Sequence, residues 1–178
     1  WRRLQPGSGQ ARRVQAVVFS QLGMTDSARV MLRQADSLEP SYPSGWAYLA
    51  AVYMWNSQYD STAMLARALT QASTGVTRAD GYWFLAIASR HLGQLNEALN
   101  AARAYRAAKA DPARRGSAPV SAYMEGQVLY EMGRFREAAM LFDSISRGSI
   151  PFEDSASAAR NRVWSWTHMA TALAAAGD

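Results

Sequence analysis

The chain has 178 residues, 49% of them hydrophobic, enough to bury a continuous core as one domain. It contains no cysteine, which excludes disulfides, thiolate zinc sites and thiol nucleophiles without fixing a compartment. Its net charge of +5 suggests nucleic acid, but the 19 basic residues are arginines apart from Lys109 and are interleaved with Asp36, Glu39, Glu97, Glu131 and Glu137, so a solvated surface is expected instead.

Apolar residues recur at helical spacing along the whole chain, and helices are expected near 10–22, 26–38, 43–56, 60–72, 77–91, 96–109, 119–132, 136–146 and 153–176. The first pair carries Phe19, then Gly23, then Ala28, Leu32 and Ala35 before Pro40. The second opens Trp46-x-x-Leu49-Ala50-x-x-Tyr53, turns at Ser57 and continues with Thr62 and Leu69 where smaller residues recur elsewhere. The third has Tyr82, Leu85 and Ala86, then Gly93, then Ala98, Ala102 and Pro112; the fourth has Gly126 and Leu129, then Gly133, then Ala138, Phe142 and Pro151. A ninth helix holds Trp166, Met169, Ala170 and Leu173 before Gly177. Small residues at Ala28, Ala50, Ala86, Gly126 and Ala138 let helices approach closely, and Phe19, Leu32, Tyr53 and Phe142 fill the space beside them. Asp26, Asp60 and Asn96 stand where an N-cap oxygen is wanted, whereas Arg136 leaves its helix the least well capped. Strand signals are nearly absent. The loop at 110–118, without an apolar anchor, is expected to be the most mobile.

The turn residues Gly23, Ser57, Gly93, Gly133 and Gly177 are spaced by 34, 36, 40 and 44 residues. With the small-and-large pattern around them, this register resembles the tetratricopeptide repeat family, whose helix pairs recur about every 34 residues. The resemblance implies an all-α, right-handed solenoid of antiparallel helix pairs, with repeats at about 9–42, 43–78, 79–118 and 119–152 and a partial fifth at 153–178 in a single repeat domain. The chain does not begin with Met and stops where the turn after a fifth first-helix falls, so it is expected to be a piece of a longer protein.

The resemblance also implies a binding surface, because the first helix of each repeat lines a concave face in this family. Its groove positions, carried over residue by residue, fall on Arg13, Val17, Ser20 and Gln21; on Ala47, Ala51, Met54 and Trp55; on Trp83, Ile87, Arg90 and His91; on Tyr123, Gln127, Tyr130 and Glu131; and on Trp164 and Thr167. The residues expected to carry partner binding are Arg13, Val17, Met54, Trp55, Trp83, Ile87, Arg90, Tyr123 and Tyr130. Packing between neighbouring repeats is the competing account of the same aromatics. The chaperone-tail clamp known in this family needs a set of basic and amide side chains, and here only Arg13 among the corresponding places is basic.

No catalytic constellation is visible. His91 and His168 lie on different helices without partners at ligand spacing, so no metal site is expected. Glu153-Asp154 reads as a helix start after Pro151, and the glycines at Gly7, Gly9 and Gly116 lack a phosphate-loop context. No apolar run approaches the ~20 residues that cross a bilayer, and no signal peptide is visible. Membrane association would come only through flanking sequence beyond Trp1-Arg2-Arg3. The expectation is a non-catalytic protein–protein interaction scaffold without cofactors, whose partner is a protein or peptide with apolar and some acidic groups and not a nucleic acid. The alternatives are a regulatory or sensor arm of a larger enzyme such as a kinase, and a structural subunit of a membrane-associated complex.

Overall fold

The computed structural model describes residues 7–39, 45–71, 75–109, 118–147 and 155–177. Among these the chain is all-helical, in the order α1 (Gly9–Gln21), α2 (Thr25–Leu38), α3 (Gly45–Trp55), α4 (Tyr59–Thr70), α5 (Gly75–His91), α6 (Leu95–Lys109), α7 (Ala118–Glu131), α8 (Phe135–Arg147) and α9 (Ser155–Ala176). Every helix end lies within two residues of its expected place. The expected stops at Pro40, Pro112 and Pro151, the helix start at Glu153-Asp154 and the loop at 110–117 lie outside the described residues.

The helices form two compact units, Trp1–Leu92 and Gly93–Asp178. In the first, α1 packs on α2 and α3, α3 on α4 and α5, and α4 on α5. Its centre holds Ala16, Ala28, Leu32 and Val52, with Phe19, Met31, Tyr48 and Leu49 packed around them. In the second, α7 lies against α6 and α8, and α8 against α9. Its core gathers Ala98, Leu99, Val128, Leu129, Ala138, Ala139, Phe142 and Ala172. The small positions read from the sequence (Ala28, Ala50, Ala86 and Ala138) are all fully buried. Gly126 shows why smallness matters: a Cβ there would sit 2.7 Å from the Phe142 ring. Thr62, which stands where a smaller residue recurs, is buried and returns its hydroxyl hydrogen bond to Gln58 O at 3.0 Å.

Tight turns reverse the chain within each pair. After α1, the Gly23 N–H donates to Ser20 O at 2.9 Å and the Met24 N–H to Phe19 O at 2.8 Å. The same two bonds recur from Ser57 and Gln58 after α3 (3.0 and 2.9 Å) and from Gly133 and Arg134 after α7 (3.0 and 2.9 Å). This closure needs a left-handed residue at its centre, and Gly23 and Gly133 both have φ +74°. Ser57 takes the same place at φ +57°, where a side chain is strained. Ser57→Gly is therefore expected to raise stability by about 0.5–1 kcal/mol, relief of that strain being partly offset by the greater chain entropy of unfolded glycine. Urea unfolding of the two proteins checks this; a lower midpoint for the glycine variant would contradict it.

The helix starts differ from expectation. Asp26, Asp60 and Asn96 are not N-caps but second residues of helices that begin at Thr25, Tyr59 and Leu95. The flanking residues Met24 and Gln58 make no side-chain cap bond. The reason lies in the turn: it closes one helix and delivers the backbone to the next two residues earlier than a cap at Asp26 or Asp60 would. Asp26 and Asp60 still complement the positive helix end from within the first turn. At α8 the expected weakness of Arg136 is met by Glu137 in the same turn, which receives two bonds of 2.7 Å from Arg134 and is held below the ordinary carboxylate range by that guanidinium.

Candidate partner-binding surface

In the first unit, the expected binding residues sort into two environments. Trp55, near the C-terminal end of α3, is 48% exposed although it is a large aromatic, and Met54 beside it is half-buried. On α5, Trp83, Ile87 and Arg90 are half-buried and follow one another at helical spacing, so one stripe of the helix carries all three. The Trp83 ring is held edge-on to Phe84, with centroids 4.8 Å apart. Ala47 and Ala51 of α3 are buried and serve packing. His91 closes α5 with its ring stacked on Tyr59 at 4.2 Å.

On α1 the expectation fails for Arg13. Its side chain is fully buried, and Nη1 donates to Glu39 Oε2 at 2.6 Å. The Glu39 carboxylate also accepts the backbone N–H groups of Gly9 and Gln10 at the α1 N-terminus, and the Arg13 bond is the chief cause holding its carboxyl below the ordinary range. A cation neutralised within the fold in this way offers no charge to a partner. Ser20 is buried as well: its hydroxyl lies 3.4 Å from Val52 O and takes a 3.1 Å bond from Asn56 Nδ2, which also reaches Val52 O at 2.8 Å. The ends of α1 and α3 are thereby tied together. Val17 stays half-buried.

In the second unit, Tyr123 and Tyr130 stand on α7 two turns apart, both half-buried. Tyr123 is committed to the interior: its ring packs 5.6 Å from Phe142 and 5.0 Å from His168, and its hydroxyl lies 2.8 Å from His168 Nε2. Tyr130 meets Phe135 edge-on at 5.2 Å and packs beside the core. Trp164 and Thr167 of α9 are exposed. Trp55 and Trp83 thus belong to one unit, and Tyr123 and Tyr130 to the other.

Sequence reasoning missed three polar arrangements. Arg29 of α2 donates through both Nε (2.8 Å) and Nη2 to the Tyr53 hydroxyl of α3. Glu125, buried on α7, takes a 2.9 Å bond from Arg103 Nε and lies 3.0 Å from Arg106 Nη1, both on α6. The third is the Arg13–Glu39 pair. The only hint of the second was a carboxylate set within an apolar stretch, Met124-Glu125-Gly126. No helix among the described residues is long and apolar enough to cross a membrane, and those residues contain no cluster of three metal-ligating side chains.

No family model matches this sequence, and no curated protein matches it. Among solved structures it is similar to the nearly identical TPR-like repeats of a candidate kinesin light chain from Podosopora anserina, with a TM-score of 0.73 at 22% identity over 94% of this chain and 86% of that one. A substituted form of those repeats matches with a TM-score of 0.72 at 22% identity, over 98% and 89% of the two chains. Pseudomonas aeruginosa PilF matches with a TM-score of 0.64 at 16% identity, over 94% of this chain and 74% of PilF. At these identities the likeness is one of fold, and it agrees with the register of turn residues and small positions. The chain has the all-α solenoid fold of tetratricopeptide-like repeat proteins.

Proposed function

We propose that this chain is a protein-interaction scaffold without chemistry of its own, binding a protein or peptide segment through its first helices. The observation that carries the reading is Trp55. Nearly half of this large aromatic is exposed, on a first helix of a fold that presents first-helix side chains to partners. Rigid aromatics bury large areas at small rotamer cost and dominate interfaces. Met54, Trp83 and Ile87 would extend the apolar contact in the first unit, with Val17 on α1. Tyr130 is the corresponding anchor in the second unit. Tyr123 contributes mainly through the position of α7, its hydroxyl and ring being engaged by His168 and Phe142. With Arg13 buried against Glu39, the apolar anchors define the partner first.

Trp55→Ala is expected to weaken partner binding by about 2 kcal/mol, roughly 30-fold, because truncating a central interface aromatic costs that much. The melting temperature should change little, since the ring is not a core element. Capture of partners from the native source, compared quantitatively between the parent protein and the variant beside thermal unfolding, tests this. Undiminished capture by a normally folded variant would sink the proposal at its central residue.

A further inference from the structure

Glu125 stands out by its place in the repeat register. Eight residues before each turn residue stand Gln15, Leu49, Leu85, Glu125 and Met169. Leu85 is buried, and Leu49 and Met169 pack against the cores of their units. Glu125 is as deeply buried as Leu85 but carries a carboxylate. A leucine would fill this place without desolvating a charge, and well-packed apolar groups commonly match or surpass a buried ion pair in stability. Stability alone is therefore a weak account of this side chain.

What the carboxylate does is fix two guanidiniums of α6. Its Oε1 accepts from Arg103 Nε at 2.9 Å, and its Oε2 lies 3.0 Å from Arg106 Nη1 without an aligned hydrogen bond. Both arginine side chains remain nearly half exposed. Among the described residues, Glu125 is the only hydrogen-bond or ion-pair partner of either. The two Nη groups of Arg103, and Nε and Nη2 of Arg106, are left to face an outside acceptor. Lys109 continues the stripe at the same three-residue spacing, its ammonium 5.5 Å from the Tyr105 ring centroid. Glu137, held ionised first by Arg134 through two bonds of 2.7 Å and more weakly by Arg103, adds no unneutralised carboxylate. Arg106 and Lys109 also complement the negative end of α6. That explains their charge, but not the buried carboxylate that sets Arg103 and Arg106 in place.

We propose that Arg103 and Arg106, set by Glu125, form a seat for a phosphate monoester carried on a protein segment. Guanidinium forks match the oxygens of phosphate in geometry as well as charge. The three cations of the stripe, less the one carboxylate, leave two positive charges. A phosphate monoester brings about −2 at neutral pH and balances them, whereas a carboxylate or a phosphodiester brings only one negative charge. Because Glu125 already orients the guanidiniums, little side-chain freedom is lost on binding. The seat is open to solvent on the flank of a second helix, which suits a phosphate still attached to a chain. This surface lies in the other unit from Trp55, so its failure leaves the first-helix reading standing.

The probe is a short alanine peptide with one central phosphoserine, titrated into the full chain and followed by the Nε–H resonances of Arg103 and Arg106. Saturable shifts are expected with this peptide and none with its unphosphorylated form at matched ionic strength. The deciding variant is Glu125→Leu, which keeps both arginines, raises the local positive charge and places at 125 the residue type found at Leu85. A diffuse basic patch would bind the peptide more tightly after this change; the preset seat should bind it at least about fivefold more weakly. Circular dichroism and thermal unfolding confirm that the variant is folded. Replacing Arg103 and Arg106 by glutamine in the Glu125→Leu background, where no carboxylate is stranded, should abolish binding. Arg147→Gln, the same loss of charge elsewhere in this unit, should leave it unchanged. Absence of shifts overturns the proposal, as does equal or tighter binding by Glu125→Leu. Two further titrations cover the rival occupants. Shifts with inorganic phosphate but not with the phosphopeptide would assign the seat to the free ion. An oligonucleotide without terminal phosphates that binds as tightly as the phosphopeptide would assign it to nucleic acid. Either result would replace the phosphorylated segment.

Discussion

Phe142→Ala should destabilise the Gly93–Asp178 unit by about 3–5 kcal/mol, the usual cost of deleting a buried phenylalanine from a core. Phe142 is among the largest fully buried side chains, and it touches elements on several sides. Its ring lies over Gly126 of α7, packs 5.6 Å from Tyr123 and 5.4 Å from His168 of α9, and shares a core with Val128, Leu129 and Ala172. The cavity left behind cannot collapse cheaply, because α7 and α9 are held by the remaining core on both flanks. Urea unfolding at unchanged slope reads the loss. The close approach to Gly126 adds a second readout. Gly126→Ala alone should cost about 1–3 kcal/mol through overpacking against the ring. In the Phe142→Ala background that penalty should largely vanish, so the two changes are strongly non-additive. Additive losses would show that the ring is not what limits residue 126.

Replacing Arg103 and Arg106 together by alanine should cost more than replacing the Glu125 they hold. Glu125 is buried, while Arg103 and Arg106 are 47% and 43% exposed along their side chains. Remove the carboxylate and two guanidiniums remain that water already reaches; Glu125→Gln should therefore cost only about 1–2 kcal/mol. Remove both guanidiniums and a buried carboxylate is stranded, for which about 3–5 kcal/mol is expected. Chemical unfolding of the two variants at neutral pH compares them directly. If Glu125→Gln proves as damaging as the double arginine variant, the charge of the carboxylate is itself the stabilising element and the stranded-charge account is wrong.

Sequence alone was enough for the nine helices found among the described residues, their ends to within two residues, the turn positions and the small-against-large partners such as Gly126 and Phe142. These features are local and repeated: a 3.6-residue period, a left-handed turn residue and a small side chain every helix pair are written within short windows, and each repeat confirms the last. The N-caps were misplaced by two residues because turn closure decides where the second helix begins, and that is a property of backbone hydrogen bonds spanning both helices.

Among the expected binding residues, local pattern placed Trp55 on an accessible helix face but could not tell that Arg13 is buried. Arg13 and Glu39 lie 26 residues apart, and only the docking of α2 back onto α1 brings the carboxylate to the guanidinium. The same holds for Glu125 with Arg103, for Tyr123 with His168 and for Ser20 with Asn56, all pairs drawn from separate segments of the chain. The sequence by itself determined which residues share a face, because helix periodicity is intrinsic to the chain. Only the tertiary structure decided which faces are closed and which charges are spent, because burial and ion pairing arise between segments distant in sequence.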